Sequence, residues 1–364
     1  MAEIHLKSLA HSYNPNATGA SDYALKQIDH VWEDGKAYAL LGASGCGKST
    51  LLNIISGLLH PSEGQVLFDG VDVTDLPTEE RHIAQVFQFP VVYDTMSVYD
   101  NLAFPLRNRG HNEATIKERV LSIAEILEMT DVLDKKARGL TADAKQKISL
   151  GRGLVRENVA AILFDEPLTV IDPHLKWLLR MQLKSLHQRL KRTMIYVTHD
   201  QTEALTFADK VVVMHDGYVV QIGTPEELFD KPQHTFVGYF IGSPGMNFID
   251  AQVTGSQAVI AGEKVELPFS YKLKEGDKIE LGIRPEFVSL SAQASEGSFK
   301  VSIKRIEDIG RHKIVHVDFN GNEVSAIVPE DVTITDEFTN MVFDKGRINI
   351  YSNDWLVEGG ASHD

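Results

Sequence analysis

With 364 residues, 43% hydrophobic and 24% charged, the chain is long enough for a sizeable core and more than one domain, which argues against disorder. A formal net charge of −15 argues against a broad nucleic-acid surface, because phosphate backbones are held by clustered Lys and Arg. A single cysteine, Cys46, excludes an intrachain disulfide and fits a reducing compartment; Met1 to His5 do not form a basic segment leading into an apolar run and no stretch reaches about 18 apolar residues, so any membrane role is expected to act through partner proteins.

From residue 1 to about 240, short apolar runs alternate with helical patterns, the expression of an α/β domain whose parallel sheet is covered on both faces. The first such run, Ala37–Leu41, leads into a glycine-rich turn and then a helix over Lys48–Ser56. Helical periodicity dominates from about residue 98 to 156, where Ile116, Val120, Ile123, Ala124 and Leu127 form one apolar stripe; this predicts a helical insertion. The runs at 161–164 and 194–197 end in polar turns, Asp165-Glu166 and Thr198-His199-Asp200. Val211 to Met214, the Asp216-Gly217 turn and Tyr218 to Val220 predict a hairpin. Thr224-Pro225-Glu226-Glu227 then marks a helix start. Residues 241–364 change character: alternating strands at 278–283 and 313–319 and an Asn320-Gly321 turn predict a separate, all-β domain.

The turn after the first strand, Gly42-Ala43-Ser44-Gly45-Cys46-Gly47-Lys48-Ser49, matches G-x-x-x-x-G-K-[ST] between a strand and a helix, the Walker A context. The glycines let backbone N–H groups turn onto phosphates, and the helix N-terminus adds a favourable dipole. Gly42, Ser44, Gly45, Cys46, Gly47, Lys48, Ser49 and Thr50 are therefore the expected ATP-binding set, with Lys48 on the β- and γ-phosphates and the Ser49 hydroxyl on Mg2+. Cys46 is expected to be small filler in a variable loop position, since no histidine near it in sequence would make it a nucleophile. Asp165 and Glu166 sit at a strand's C-terminal end, where open α/β sheets bind ligands. Adjacent strand residues point oppositely, which suits Asp165 to Mg2+ and Glu166 to polarising a water as general base. Set against this is the plainer alternative of a solvated acidic turn. His199 ends the neighbouring run and is expected near the γ-phosphate, alone of 14 histidines in lying at that sheet edge.

Taken in order, these motifs resemble those of the nucleotide-binding subunits of ATP-binding cassette (ABC) transporters. The likeness implies a P-loop, RecA-like ABC core over 1–240 with a helical subdomain at about 89–156, followed by an OB-like regulatory domain over 241–364. It further implies that Tyr13 stacks on adenine and that Gln88 is the Q-loop glutamine, with a part in catalysis and beside Mg2+. Thr169-Val170-Ile171-Asp172 resembles the D-loop. Tyr13 could equally be a packed strand aromatic. Phe240-Ile241-Gly242-Ser243-Pro244 and Gly282-Ile283-Arg284-Pro285-Glu286 resemble the tail of carbohydrate-uptake importers of the maltose type. That family implies a subunit on the cytoplasmic face of the bacterial inner membrane, two transmembrane permeases, each docking a coupling helix on one ATPase subunit, here along residues 89–93, and indirectly a periplasmic binding protein.

One departure stands out. The family signature L-S-G-G-Q reads Leu140-Thr141-Ala142-Asp143-Ala144, so two side chains replace glycines and Asp143 brings negative charge towards a polyanion. This predicts pairing with a second, non-identical ATPase that has an intact signature, a homodimer being the rival. The run 141–147 also resembles an ATPase subunit of bacterial glycerol importers, which implies a small polyol or sugar as cargo, glycerol first, the alternative being a homodimeric importer of a sugar or of glycerol phosphate. The competing functions are a soluble ABC ATPase outside transport, disfavoured by the acidic charge and the importer-type tail, and a non-hydrolysing subunit, disfavoured by Glu166 and His199.

Overall fold

The computed structural model describes residues 2–169, 171–335 and 337–360, and the chain divides into two compact units, Met1–Pro225 and Glu226–Asp364. In the first unit the central sheet has six strands. Across it run Tyr218–Gly223, Lys210–His215, Ala37–Leu41, Met194–Thr198, Ile162–Asp165 and Ala84–Val86. All neighbours pair parallel except the terminal hairpin Lys210–His215 with Tyr218–Gly223. Ala37–Leu41 and Met194–Thr198 are buried at every position, which explains their continuous apolar runs: packed elements leave no solvated side to alternate with. A second, antiparallel sheet of Leu25–Trp32, Ile4–His11, Glu63–Phe68 and Val71–Asp72 lies beside it. Leu6, Leu25, Trp32, Leu40, Leu52 and Val212 from the two sheets and the helix Lys48–Ser56 share one core.

Within the insertion, the helices Val98–Arg107, Glu113–Ile126 and Ala142–Leu154 pack together. The expected stripe is its interior, for Ile116, Val120, Ile123, Ala124 and Leu127 are all buried. Ser97 and Asn112 cap the first two helices by accepting from the N–H groups of Asp100 and Thr115.

The second unit is strand-rich, with a five-stranded and two three-stranded antiparallel sheets closing on a core of their own. The hairpin His312–Phe319 with Asn322–Pro329 turns at Asn320 and Gly321, both left-handed with φ 49° and 88°, as the Asn-Gly pair predicts. The compact units part at Pro225, ahead of the 240/241 boundary read from sequence, and Arg284 supplies a physical reason. Its guanidinium, 1% exposed, donates to the carbonyls of Leu228, Phe229, Gly238 and Ile241 and lies 4.1 Å over the Phe229 ring, tying residues 226–241 to the β sheets. Burial pulls its basicity below the usual arginine range. Arg284→Met should therefore orphan several buried carbonyls and destabilise this unit by on the order of 3 kcal/mol. Thermal unfolding would show it as a lowered transition with ATP binding intact; an unmoved transition would count against the role given to Arg284.

Candidate active site

The phosphate loop leaves the central strand of the six-stranded sheet at its C-terminal end, and its shape is dictated by close neighbours. A Cβ at Gly42 would lie 2.2 Å from the Met214 carbonyl oxygen, so no side chain fits there. Gly47 has φ 100°, and a Cβ on it would meet Leu25 Cδ2 at 2.6 Å and the Ala24 oxygen at 2.7 Å. Gly47 also begins the helix Lys48–Ser56, whose start no side chain caps, so its first N–H groups and dipole face the loop. Lys48 is 5% exposed, and its Nζ donates to the carbonyls of Gly42 at 2.8 Å and Ala43 at 2.9 Å. The ammonium thus spans the loop. Cys46 is buried with its Sγ 3.7 Å from that ammonium, and burial pushes the thiol up, against a nucleophilic role.

Beside the loop, the strand Ile162–Asp165 delivers its carboxylates. Ser49 Oγ donates to Asp165 Oδ1 at 3.3 Å, bringing together two oxygens of the kind a hard divalent cation takes. Burial pushes the Asp165 carboxyl up and the Glu166 charge adds to this, against the Ser49 hydrogen bond and the Lys48 charge. Glu166 adopts a left-handed turn with φ 44°, its N–H bonded to the Val197 carbonyl at 3.0 Å. That turn aims its Oε2 to within 3.2 Å of His199 Nδ1, and the Thr169 hydroxyl donates to the same oxygen at 3.2 Å. Strand pairing between Ile162–Asp165 and Met194–Thr198 brings these two sequence-distant groups together.

The remaining expected residues lie as follows. Tyr13 follows the strand Ile4–His11 and is 64% exposed, with its OH 3.1 Å from Thr50 Oγ1 and its ring edge-on to His11. That exposure speaks against the packed alternative. Gln88 is half-buried two residues past the strand Ala84–Val86. Asp172 caps the helix Pro173–Leu190, accepting from the His174 N–H at 2.9 Å; Val170 falls outside the described residues. Thr141 caps the helix Ala142–Leu154, with Thr141 and Ala142 exposed and Asp143 half-buried in the first turn. Among the described residues no hydrogen bond or ion pair joins 140–144 to the phosphate loop of the same chain.

Two buried polar residues escaped the sequence reading. Gln146 is fully buried, and its Nε2 donates to the Pro167 carbonyl at 2.7 Å and the Phe87 carbonyl at 3.3 Å. One side chain thereby links the helix after Thr141 to the turn after Glu166 and to the segment before Gln88. Its only sequence signal is a polar residue one turn before the buried Leu150. The other is Glu203, 4% exposed, which accepts from the hydroxyls of Tyr196 and Thr198. Near Gln88, Phe87, Phe89, Val91 and Tyr93 are exposed. A cleft of about 270 Å³ opens there, lined by Phe87, Val91, Phe104, Arg109, Arg152 and Arg156. Burial and the Arg109 charge hold the Arg156 guanidinium down at about 10.

Comparison with known proteins agrees with this geometry. The family profile described as ABC transporter matches residues 25–169, and that of the MalK OB fold domain matches residues 242–288. The sn-glycerol-3-phosphate import ATP-binding protein UgpC of Salmonella typhi is 39% identical over 324 residues, covering 87% of this chain and 88% of its own. UgpC of Chromobacterium violaceum is 37% identical over 329 residues, covering 90% and 87%. Among solved structures, cbiO1 from Clostridium perfringens, part of the ABC transporter complex cbiONQ, superposes with a TM-score of 0.56 at 28% identity. It covers 63% of this chain and 90% of its own. The relatives' names speak of import and ATP binding and lend no support to a second, non-identical ATPase. No helix among the described residues is long and apolar enough to cross a membrane.

Proposed function

The chain belongs to the ATP-binding, ATP-hydrolysing proteins of maltose-type ABC importers, and from that premise we propose how its residues divide the work. The observation that carries the reading is the Glu166–His199 pair at one sheet edge, on the same strand end as the Ser49–Asp165 pair beside Lys48. Lys48 and the loop N–H groups hold the β- and γ-phosphates, and the exposed Tyr13 ring offers a face to adenine. Ser49 and Asp165, joined by Gln88, suit Mg2+, which when bound neutralises phosphate charge. Glu166 accepts a proton from the water that attacks the γ-phosphorus, and the bond to the β-phosphate oxygen breaks. His199 fixes Glu166 on one side and offers its other nitrogen to the γ-phosphate.

The signature residues Thr141, Ala142 and Asp143, with Asp172, face outward to a second ATP-binding subunit. Asp143 in place of a glycine favours a partner whose own signature is intact, and this rests on residue chemistry alone. Of the two permeases, one docks on this chain along residues 89–93 and the adjoining arginine-lined cleft, which puts the chain on the cytoplasmic face of the bacterial inner membrane. The cargo class is glycerol or its phosphate ester: the run 141–147 points to the free polyol and the relatives' names to sn-glycerol 3-phosphate. Isolating the tagged transporter and counting its ATPase subunits separates the pairings. Two kinds of ATPase subunit are expected, and a single kind with normal turnover would overturn the mixed pair. Uptake of labelled glycerol against labelled sn-glycerol 3-phosphate by cells with and without this chain tests the cargo, and dependence of neither on the chain would refute it.

A further inference from the structure

A carboxylate buried behind the catalytic edge has no part in the scheme above. Glu203 lies in the helix Gln201–Phe207 and is 4% exposed. Burying an acid is costly unless each lone pair is occupied. Here Glu203 Oε2 accepts from the Tyr196 hydroxyl at 3.0 Å and the Thr198 hydroxyl at 2.9 Å, while Lys176 Nζ stands 3.9 Å from Oε1. Both hydroxyl donors belong to the strand that leads into His199, and both are buried, Tyr196 fully and Thr198 at 2%. Burial and the Glu203 charge hold the Tyr196 phenol well above its ordinary range, which keeps it a donor. Thr198 Oγ1 also accepts from the Asp200 N–H at 3.0 Å, so one hydroxyl links the buried acid to the backbone on the far side of His199. Asp200 Oδ1 in turn accepts from the N–H groups of Thr202 at 2.7 Å and Glu203 at 3.2 Å, closing the circuit onto the same helix.

His199 itself is about half exposed, and its one ion-pair contact among the described residues is Glu166. A side chain so little enclosed has to be aimed by its backbone. We infer that Glu203 is a positioning residue for His199: through Thr198 and Tyr196 it clamps the turn that presents the imidazole to Glu166 and the γ-phosphate. The inference deepens the role proposed for His199 and rests on it. Releasing the turn lets the imidazole drift, and a displacement of about 1 Å can cost on the order of 100-fold in rate.

The test measures steady-state phosphate release with Mg-ATP from the full chain assembled in its transporter, comparing wild type, E203A, E203Q, T198V, H199A and the double variant E203A/H199A. E203A is expected to lower kcat by about 10- to 100-fold with KM for ATP within about twofold. E203Q keeps an oxygen for the two hydroxyls and should lose less. T198V, isosteric but unable to relay, should resemble E203A. The double variant should be no slower than H199A alone, because an aim cannot be lost twice. If H199A turns over at the wild-type rate, the role given to His199 falls and this inference falls with it. If H199A is slow while T198V and any folded E203A match wild type, or if the double variant's losses multiply, the clamp is refuted and the role of His199 stands. Should E203A fail to fold, T198V together with E203Q decides the matter.

Discussion

Lys48→Ala is expected to weaken ATP binding by about a hundredfold or more, the largest single loss in binding available to this chain. Each charge-assisted hydrogen bond to phosphate contributes about 1.5–3 kcal/mol, and the ammonium serves two phosphates. The substitution also empties the middle of the loop, because Lys48 Nζ ties the carbonyls of Gly42 and Ala43. Titration with a fluorescent ATP analogue measures the effect directly. Affinity within a few-fold of wild type would take Lys48 out of the site.

Glu166→Gln should have the opposite profile, with retained ATP affinity and a kcat lower by roughly 10²- to 10⁴-fold, the range that general-base catalysis contributes. Glutamine keeps the shape of the side chain and its left-handed turn, so the phosphate grip is untouched. What it removes is the proton acceptor and the carboxylate that meets His199 Nδ1. Phosphate release from the assembled transporter is the readout, and unchanged turnover would show the base to be misassigned. Because the two substitutions act on different terms, binding for Lys48 and turnover for Glu166, together they separate the loop's role from that of the acidic strand end.

Sequence reached furthest where a residue's job is local. The helix expected at 48–56 is found as Lys48–Ser56, since the preceding glycine and the strand before it leave few other choices. The stripe from Ile116 to Leu127 is buried as the period requires, and Asn320-Gly321 turns because both residues tolerate positive φ. Pairing of Glu166 with His199 could be expected only by supposing that their strands are neighbours, which the register confirms.

Long-range polar contacts were invisible for a physical reason. Arg81 is satisfied by the carbonyls of Ile54, Ile55, Thr74 and Leu76, and the Arg284 guanidinium and the Gln146 amide nitrogen donate likewise to main chain far along the sequence. A carbonyl is the same on every residue, so no pattern of side chains announces which one will accept. The place where the compact units part depends on one such contact network, around Arg284.

The closeness of Gly42 to Met214 and of Gly47 to Leu25 has a further meaning for how this chain can vary. At Gly47 the wall is the buried side chain of Leu25 and at Gly42 the main-chain carbonyl of Met214, both on strands outside the loop, and neither residue belongs to the nucleotide-binding set. They nonetheless act as walls of the mould in which the triphosphate is cast. A bulkier residue at Leu25, harmless by every rule about greasy interiors, would press on the loop from behind and spoil nucleotide capture without touching a single phosphate oxygen.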